Sequence, residues 1–104
     1  MVRTIHICLI LAALGGNPSH AGDPGRGKEL FQQCNGCHSV ETGEGKAGPS
    51  LKGIFKREKL RNGKPATEKN VRERIEKGGN GMPSFERILS EKETDRLIEY
   101  LRQL

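Results

Sequence analysis

An all-α domain with long irregular loops is the fold class this sequence predicts, and three features carry that reading. The C-terminal stretch is the clearest helix. Ser90-Glu91-Lys92-Glu93 is a capping box, and Leu97, Tyr100, Leu101 and Leu104 follow on one helical face. No segment alternates apolar and polar residues long enough to make a strand. The stretch from Asn35 to Gly53 is rich in glycine and reads as loop. Loops of that length are unusual in a small domain unless they surround something.

The elements follow in order. Residues 1–21 have the layout of a secretory leader: Arg3, an apolar run from Ile5 to Leu14, a Gly-Gly-Asn-Pro break, and small residues around His20 up to Ala21. Cleavage after Ala21 would leave residues 22–104 as the folded domain. The run is too short to span a bilayer as a helix, so no stable membrane insertion is expected. Asp23-Pro24 then reads as a cap followed by proline in the first turn, with Leu30, Phe31 and Cys34 on one face of the first helix. Ile54 to Arg61 is expected to be a short helix ended by Asn62-Gly63. Thr67 is an expected cap for a third helix, with Val71 and Ile75 as its apolar stripe and Gly78-Gly79 as its stop. With the C-terminal helix that makes about four.

Composition says this fold needs help. Charged residues make up 30% of the 104, hydrophobic ones 33%, aromatics only 4%, and tryptophan is absent. Small domains with so little to bury rely on a disulfide, a metal or a cofactor. Without the leader, the soft ligands reduce to Cys34, Cys37, His38 and Met82. Any metal chemistry draws on those or on carboxylates.

Cys34-Asn35-Gly36-Cys37-His38 is a C-x-x-C-H motif, the signature of covalent haem attachment of the c type. Two thiols at this spacing each add to one haem vinyl group, and the histidine that follows is carried under the ring toward the iron. Other readings exist for the cysteine pair. A zinc ribbon needs a second ligand pair, which residues 22–104 lack. A thioredoxin-like pair belongs beside a strand in a βαβ unit, and no such pattern is present. A Cys34–Cys37 disulfide would close a very short loop.

With that motif after the first helix, the chain resembles class I cytochromes c, and the short bacterial or c6-like forms above all. The resemblance runs from Gly27-Lys28-Glu29-Leu30-Phe31, through the haem motif and Gly48-Pro49-Ser50-Leu51, to Gly81-Met82-Pro83-Ser84-Phe85 and the closing helix with Leu97 and Tyr100-Leu101. It implies a small cytochrome c fold wrapped around one covalently bound haem c. It also implies that Met82 is the sixth iron ligand opposite His38. A lone methionine is otherwise core filler. Met82 stands between Gly81 and Pro83, in a shaped loop rather than on a packed helix face. The resemblance further gives Pro49 as the carbonyl acceptor for the proximal histidine, where an ordinary turn is the plain alternative. Leu51, Ile54, Ile75 and Phe85 are the implied haem wall, or simply core. Gly27, Phe31, Leu97 and Tyr100 match the crossing of the first and last helices. Arg57 matches a residue that meets a haem propionate in some relatives. By itself it is a solvated charge in Lys56-Arg57-Glu58-Lys59. The chain departs from larger relatives in lacking tryptophan and most tyrosines, and Phe31 precedes Cys34 by one residue fewer than in many of them.

The implied function is reversible one-electron transfer, not catalysis. No nucleophile, base or oxyanion arrangement is evident, and both axial positions are filled. Two alternatives remain: a haem subunit of a larger oxidoreductase, or a ligand-binding haem sensor if Met82 does not bind iron. The net charge of +5, or +4 without the leader's Arg3, together with Lys52, Lys56, Lys59, Lys64 and Lys69, suits redox protein partners with acidic docking surfaces. It does not suit nucleic acid, because basic and acidic residues interleave and aromatics are few. A monomer in the periplasm, or otherwise exported, is expected.

Overall fold

Pro24 opens the first helix, α1 (Pro24–Phe31), as proline in a first turn should. The structure is a computed structural model, and it describes residues 24–104. The expected leader, its cleavage site and the Asp23 cap lie outside the described residues. A 3₁₀ turn over Gln32–Cys34 extends α1 directly into the cysteine motif. Two further helices follow, α2 (Glu68–Lys77) and α3 (Glu91–Arg102). Among the described residues there is no strand, only the isolated bridges Lys59–Pro65 and Gly79–Met82, so the class is all-α.

Both later helices begin as their caps require. The Thr67 side chain accepts the Asn70 N–H at 3.3 Å. In the capping box the Glu93 N–H donates to Ser90 Oγ at 3.1 Å, and the Ser90 N–H donates back to Glu93 Oε1 at 3.1 Å. The α3 face is rotated from the expected one. Thr94, Leu97, Ile98 and Leu101 are buried, while Tyr100 and Leu104 lie at the edges. Ile98 completes the i, i+1, i+4 stripe against α1 and α2.

The expected helix over 54–61 does not form. Only Ile54–Lys56 turns, as a 3₁₀ segment, and Arg57 leaves it with extended backbone at φ −87° and ψ 153°. The chain then doubles back: the Leu60 N–H donates to Lys64 O, the Ala66 N–H to Glu58 O, and Gly63 sits at φ 82°. The physical reason is composition. Ile54 is the one buried residue of the run, too little for a helix stripe, and Asn62-Gly63 favours a tight reversal. Among the described residues the count is therefore three α-helices and two 3₁₀ turns, where about four helices were expected.

The core is one apolar cluster of Leu30, Phe31, Ile54, Val71, Ile75, Leu89, Leu97, Ile98 and Leu101. Its anchor is the crossing of α1 and α3. A Cβ on Gly27 would collide with Arg96 O and come within 2.6 Å of Tyr100 Cβ, so the backbones meet there at glycine distance. The Phe31 and Tyr100 rings pack beside it, tilted by 48° with centroids 5.4 Å apart. Arg72 ties α2 to Asp95 of α3, and Arg102 reaches Glu68. The crossing fixes where α1 ends, and thereby where the cysteine motif stands.

Candidate functional site

The motif continues the helical path of α1. The Cys37 N–H donates to Cys34 O at 3.1 Å and the His38 N–H donates to the same carbonyl at 2.9 Å. One helical turn thus links the first cysteine to the histidine. Asn35 has helical backbone, and Gly36 has open space around it, so nothing crowds that edge. Both thiols are free. Cys34 is half-buried against the apolar cluster, and Cys37 is exposed. Burial pushes the Cys34 thiol up to about 11, with the neighbouring Cys37 adding to the rise. The thiol therefore stays protonated at neutral pH.

His38 is oriented by the glycine-rich loop. Its Nδ1 lies 2.7 Å from Pro49 O. A carbonyl only accepts, so Nδ1 carries the proton, and in the neutral imidazole this tautomer leaves the lone pair on Nε2. The loop is fastened to the motif on both sides of this contact. The Gly48 N–H donates to Cys37 O at 2.8 Å, and the Leu51 N–H donates to Ser39 O at 2.9 Å. Gly48 itself makes room for the ring: a Cβ there would stand 2.5 Å from His38 Cε1 and 2.8 Å from Nδ1. The sequence places this glycine in Gly48-Pro49-Ser50-Leu51 but gives it no role of its own; the structure shows that the ring needs its missing side chain. Its signal was its place directly before Pro49.

Met82 occupies a tight turn. The Gly79 N–H donates to Met82 O at 2.9 Å and the Met82 N–H donates to Gly79 O at 3.1 Å. Gly79, Asn80 and Gly81 all have positive φ, at 123°, 51° and 87°. Gly78 backs directly onto the turn, since a Cβ there would overlap Met82 O and approach Pro83 O to 2.7 Å. The chain after Met82 folds onto the end of α2. Phe85 N–H donates to Ile75 O, Glu86 N–H donates to Glu76 O, and Ser84 Oγ donates to Glu76 O as well. Those carbonyls would otherwise end the helix unpaired. Met82 is half-buried and is not part of the apolar cluster. Its thioether is not core filler.

The remaining expected residues divide. Leu51, Ile54, Ile75 and Phe85 come together with Cys34 in the one apolar cluster, with Ile54 and Ile75 buried. Arg57 is exposed, yet its Nη2 donates to Ser50 O at 2.7 Å and to Lys52 O at 2.8 Å. It braces the loop beyond Pro49 rather than standing free in solvent. It also lines an open cleft of about 430 Å³ with Lys46, Arg61 and the Gly48–Ser50 segment.

This donor set suits a covalently held haem: two free thiols one turn apart, an imidazole with Nδ1 committed to a carbonyl, and a thioether outside the core. No three His, Cys, Asp or Glu side chains converge as a metal-ion site among the described residues. Cys34, Cys37 and His38 therefore do not form a zinc-type cage. The family model described as cytochrome c matches residues 25–104. Cytochrome c-550 of Bacillus subtilis (strain 168) is 45% identical over 58 residues, which cover 55% of this chain and 41% of that protein. The match thus spans less than half of that relative's length.

Proposed function

Because the chain belongs to the cytochrome c family, we propose that it is a one-electron carrier whose haem iron is held between His38 and Met82, working between exported or membrane-bound redox partners. The cofactor is haem c, bound covalently, and the family's business is electron transport. Cys34 and Cys37 are the residues for the two thioether links. Bound there, the haem supplies a reversible one-electron change at iron.

The observation that carries the ligand assignment is the contact of His38 Nδ1 with Pro49 O at 2.7 Å. With Nδ1 engaged there, Nε2 is the nitrogen proposed to bind the metal. It also makes the imidazole a better donor, since the Nδ1 proton leans toward an acceptor. Gly48 keeps the ring from being displaced. On the other side Met82 offers a soft, neutral sulfur, which favours the reduced metal and raises the potential. Cys34, Leu51, Ile54, Ile75 and Phe85 are proposed as the apolar wall that keeps water away. Arg57, with Lys46 and Arg61 near it, is proposed to face a propionate. Two ligands held by the fold leave little to rearrange when charge changes, and this suits a carrier rather than an enzyme.

The partner is proposed to be a redox protein with an acidic docking surface. Lys52, Lys56, Lys59 and Lys69 are exposed, whereas Lys64 is drawn to Glu73 at 3.4 Å. Among the described residues no helix is long and apolar enough to cross a membrane. Export rests on the leader read at residues 1–21, with residues 22–104 as the working domain.

The test is the visible spectrum of the ferric protein made in a periplasm that matures c-type cytochromes. A weak far-red band from sulfur-to-iron charge transfer is expected, and it should vanish in Met82→Ala. Attached haem without that band would move ligand binding ahead of electron carriage.

A further inference from the structure

We propose that Arg74 is a positioning residue for Met82, its guanidinium lying on the Gly78-Gly79 backbone and holding the turn that carries the thioether. This rests on Met82 being the sixth ligand, as proposed above.

Arg74 stands in the last turn of α2 and is half-buried. Its Nη1 donates to Gly78 O at 3.1 Å, while its own carbonyl accepts the Gly78 N–H at 2.8 Å. The residue therefore grips Gly78 at both the amide and the carbonyl. A Cβ on Gly79 would come within 2.7 Å of Nη1, so that nitrogen also stands close against the next residue's backbone. The neighbouring cations of α2 do other things. Arg72 pairs with Glu68, Glu76 and Asp95, and Lys69 and Lys77 extend into solvent. A planar guanidinium suits this place, since it offers several donors in one plane. Its charge at a helix C-terminus is also favourable.

The turn needs such a grip. Four successive residues, Gly78, Gly79, Asn80 and Gly81, hold positive φ, and Asn80 does so without being glycine. Backbone of that kind persists where surrounding contacts hold it. With the guanidinium gone, the turn samples other shapes, the thioether spends more time off the iron, and an outside ligand meets less competition. The apparent affinity of that ligand rises in proportion to the fraction of time Met82 is away.

The experiment titrates the ferric haem-loaded protein with imidazole and follows loss of the far-red band. Arg74→Gln is expected to bind imidazole about tenfold more tightly than wild type, the scale of one charge-assisted hydrogen bond. Lys77→Gln removes the same charge from the same helix end and should leave the affinity unchanged. Equal shifts in both variants would reduce the effect to helix-end charge, and no shift in Arg74→Gln would remove it altogether; either overturns the proposal. Should Arg74→Gln fail to accumulate, Arg74→Lys decides. A lysine ammonium lacks the guanidinium's fork of donors, so the imidazole affinity of this variant should exceed wild type severalfold, and a wild-type value counts against the role of Arg74. If wild type itself lacks the far-red band, Met82 ligation falls first and the role of Arg74 falls with it. A band in wild type that is indifferent to Arg74 leaves Met82 ligation standing.

Discussion

His38 and Met82 stand in turns held by different means. The His38 turn is a direct extension of α1, so its position comes from the glycine-tight crossing of α1 and α3. The His38 ring is hydrogen-bonded to Pro49 O, and the loop behind it is fastened to the motif by Gly48 and Leu51. The Met82 turn is a strap. Backbone bonds to Ile75 and Glu76 close it at one end, Gly78 and Arg74 hold it at the other, and its middle has positive φ. The thioether itself has no comparable hydrogen-bonded brace. One side of the proposed centre is thus built to stay, and the other to be the first to let go. Ligand exchange should begin at Met82.

Met82→Ala should produce the largest change. Ferrous protein should then take up carbon monoxide rapidly and tightly, whereas wild type should do so slowly and weakly, as stopped-flow mixing would read. Equal uptake by both would mean that the strap never closes on the iron. Gly48→Ala probes the other side. The added methyl has to displace the imidazole or the loop, at a cost of about 1–3 kcal/mol for overpacking, readable by chemical denaturation. An unchanged midpoint would show that the His38 side is softer than its contacts imply. Gly78→Ala meets both a clash with Met82 O and a φ of 66° paired with ψ of −149°. Strain of about 1–3 kcal/mol is expected there. It should appear as tighter imidazole binding to ferric protein more than as lost global stability, the reverse of Gly48→Ala.

Smaller effects lie farther from both turns. Ser90→Ala should cost about 1 kcal/mol by loss of the α3 cap, with the far-red band intact. Glu93 answers from the other half of that box. The backbone N–H of Ser90 holds its carboxyl below the ordinary glutamate value, desolvation opposes this, and the Ser90 hydroxyl and Arg26 assist. A depressed folded value means stability that is present above the unfolded value and lost as pH falls through the folded one. Acid unfolding curves of Glu93→Gln should therefore be flatter than wild type in the acid window below about 4.5.

Much of this was legible in the residues because it is local. Ser90 and Glu93 cap a helix wherever they occur at that spacing, and Pro24, Thr67 and Gly78 marked ends for similar reasons. C-x-x-C-H and Gly48-Pro49 pointed to the His38 side, whose parts lie within fifteen residues of one another. Three matters were not legible. The run from Ile54 to Arg61 is charged enough to read as a helix surface, but only Ile54 in it is fully buried, and it pairs across Asn62-Gly63 instead. Ile98 was missed because the α3 stripe faces two helices at once. Arg74 could not be told from Arg72 by sequence, since one finds carboxylates and the other finds a backbone, and only the packed turn decides which.

The proton NMR spectrum of the ferrous protein is the measurement to make for the His38/Met82 pair. A methionine methyl held over a porphyrin lies in the ring current and should give a three-proton singlet far upfield of all other resonances, absent in Met82→Ala. A sharp diamagnetic spectrum with that singlet would establish Met82 on the iron. Broad, paramagnetically shifted lines without it would mean an open sixth position, and the carrier assignment would give way to a ligand-binding one.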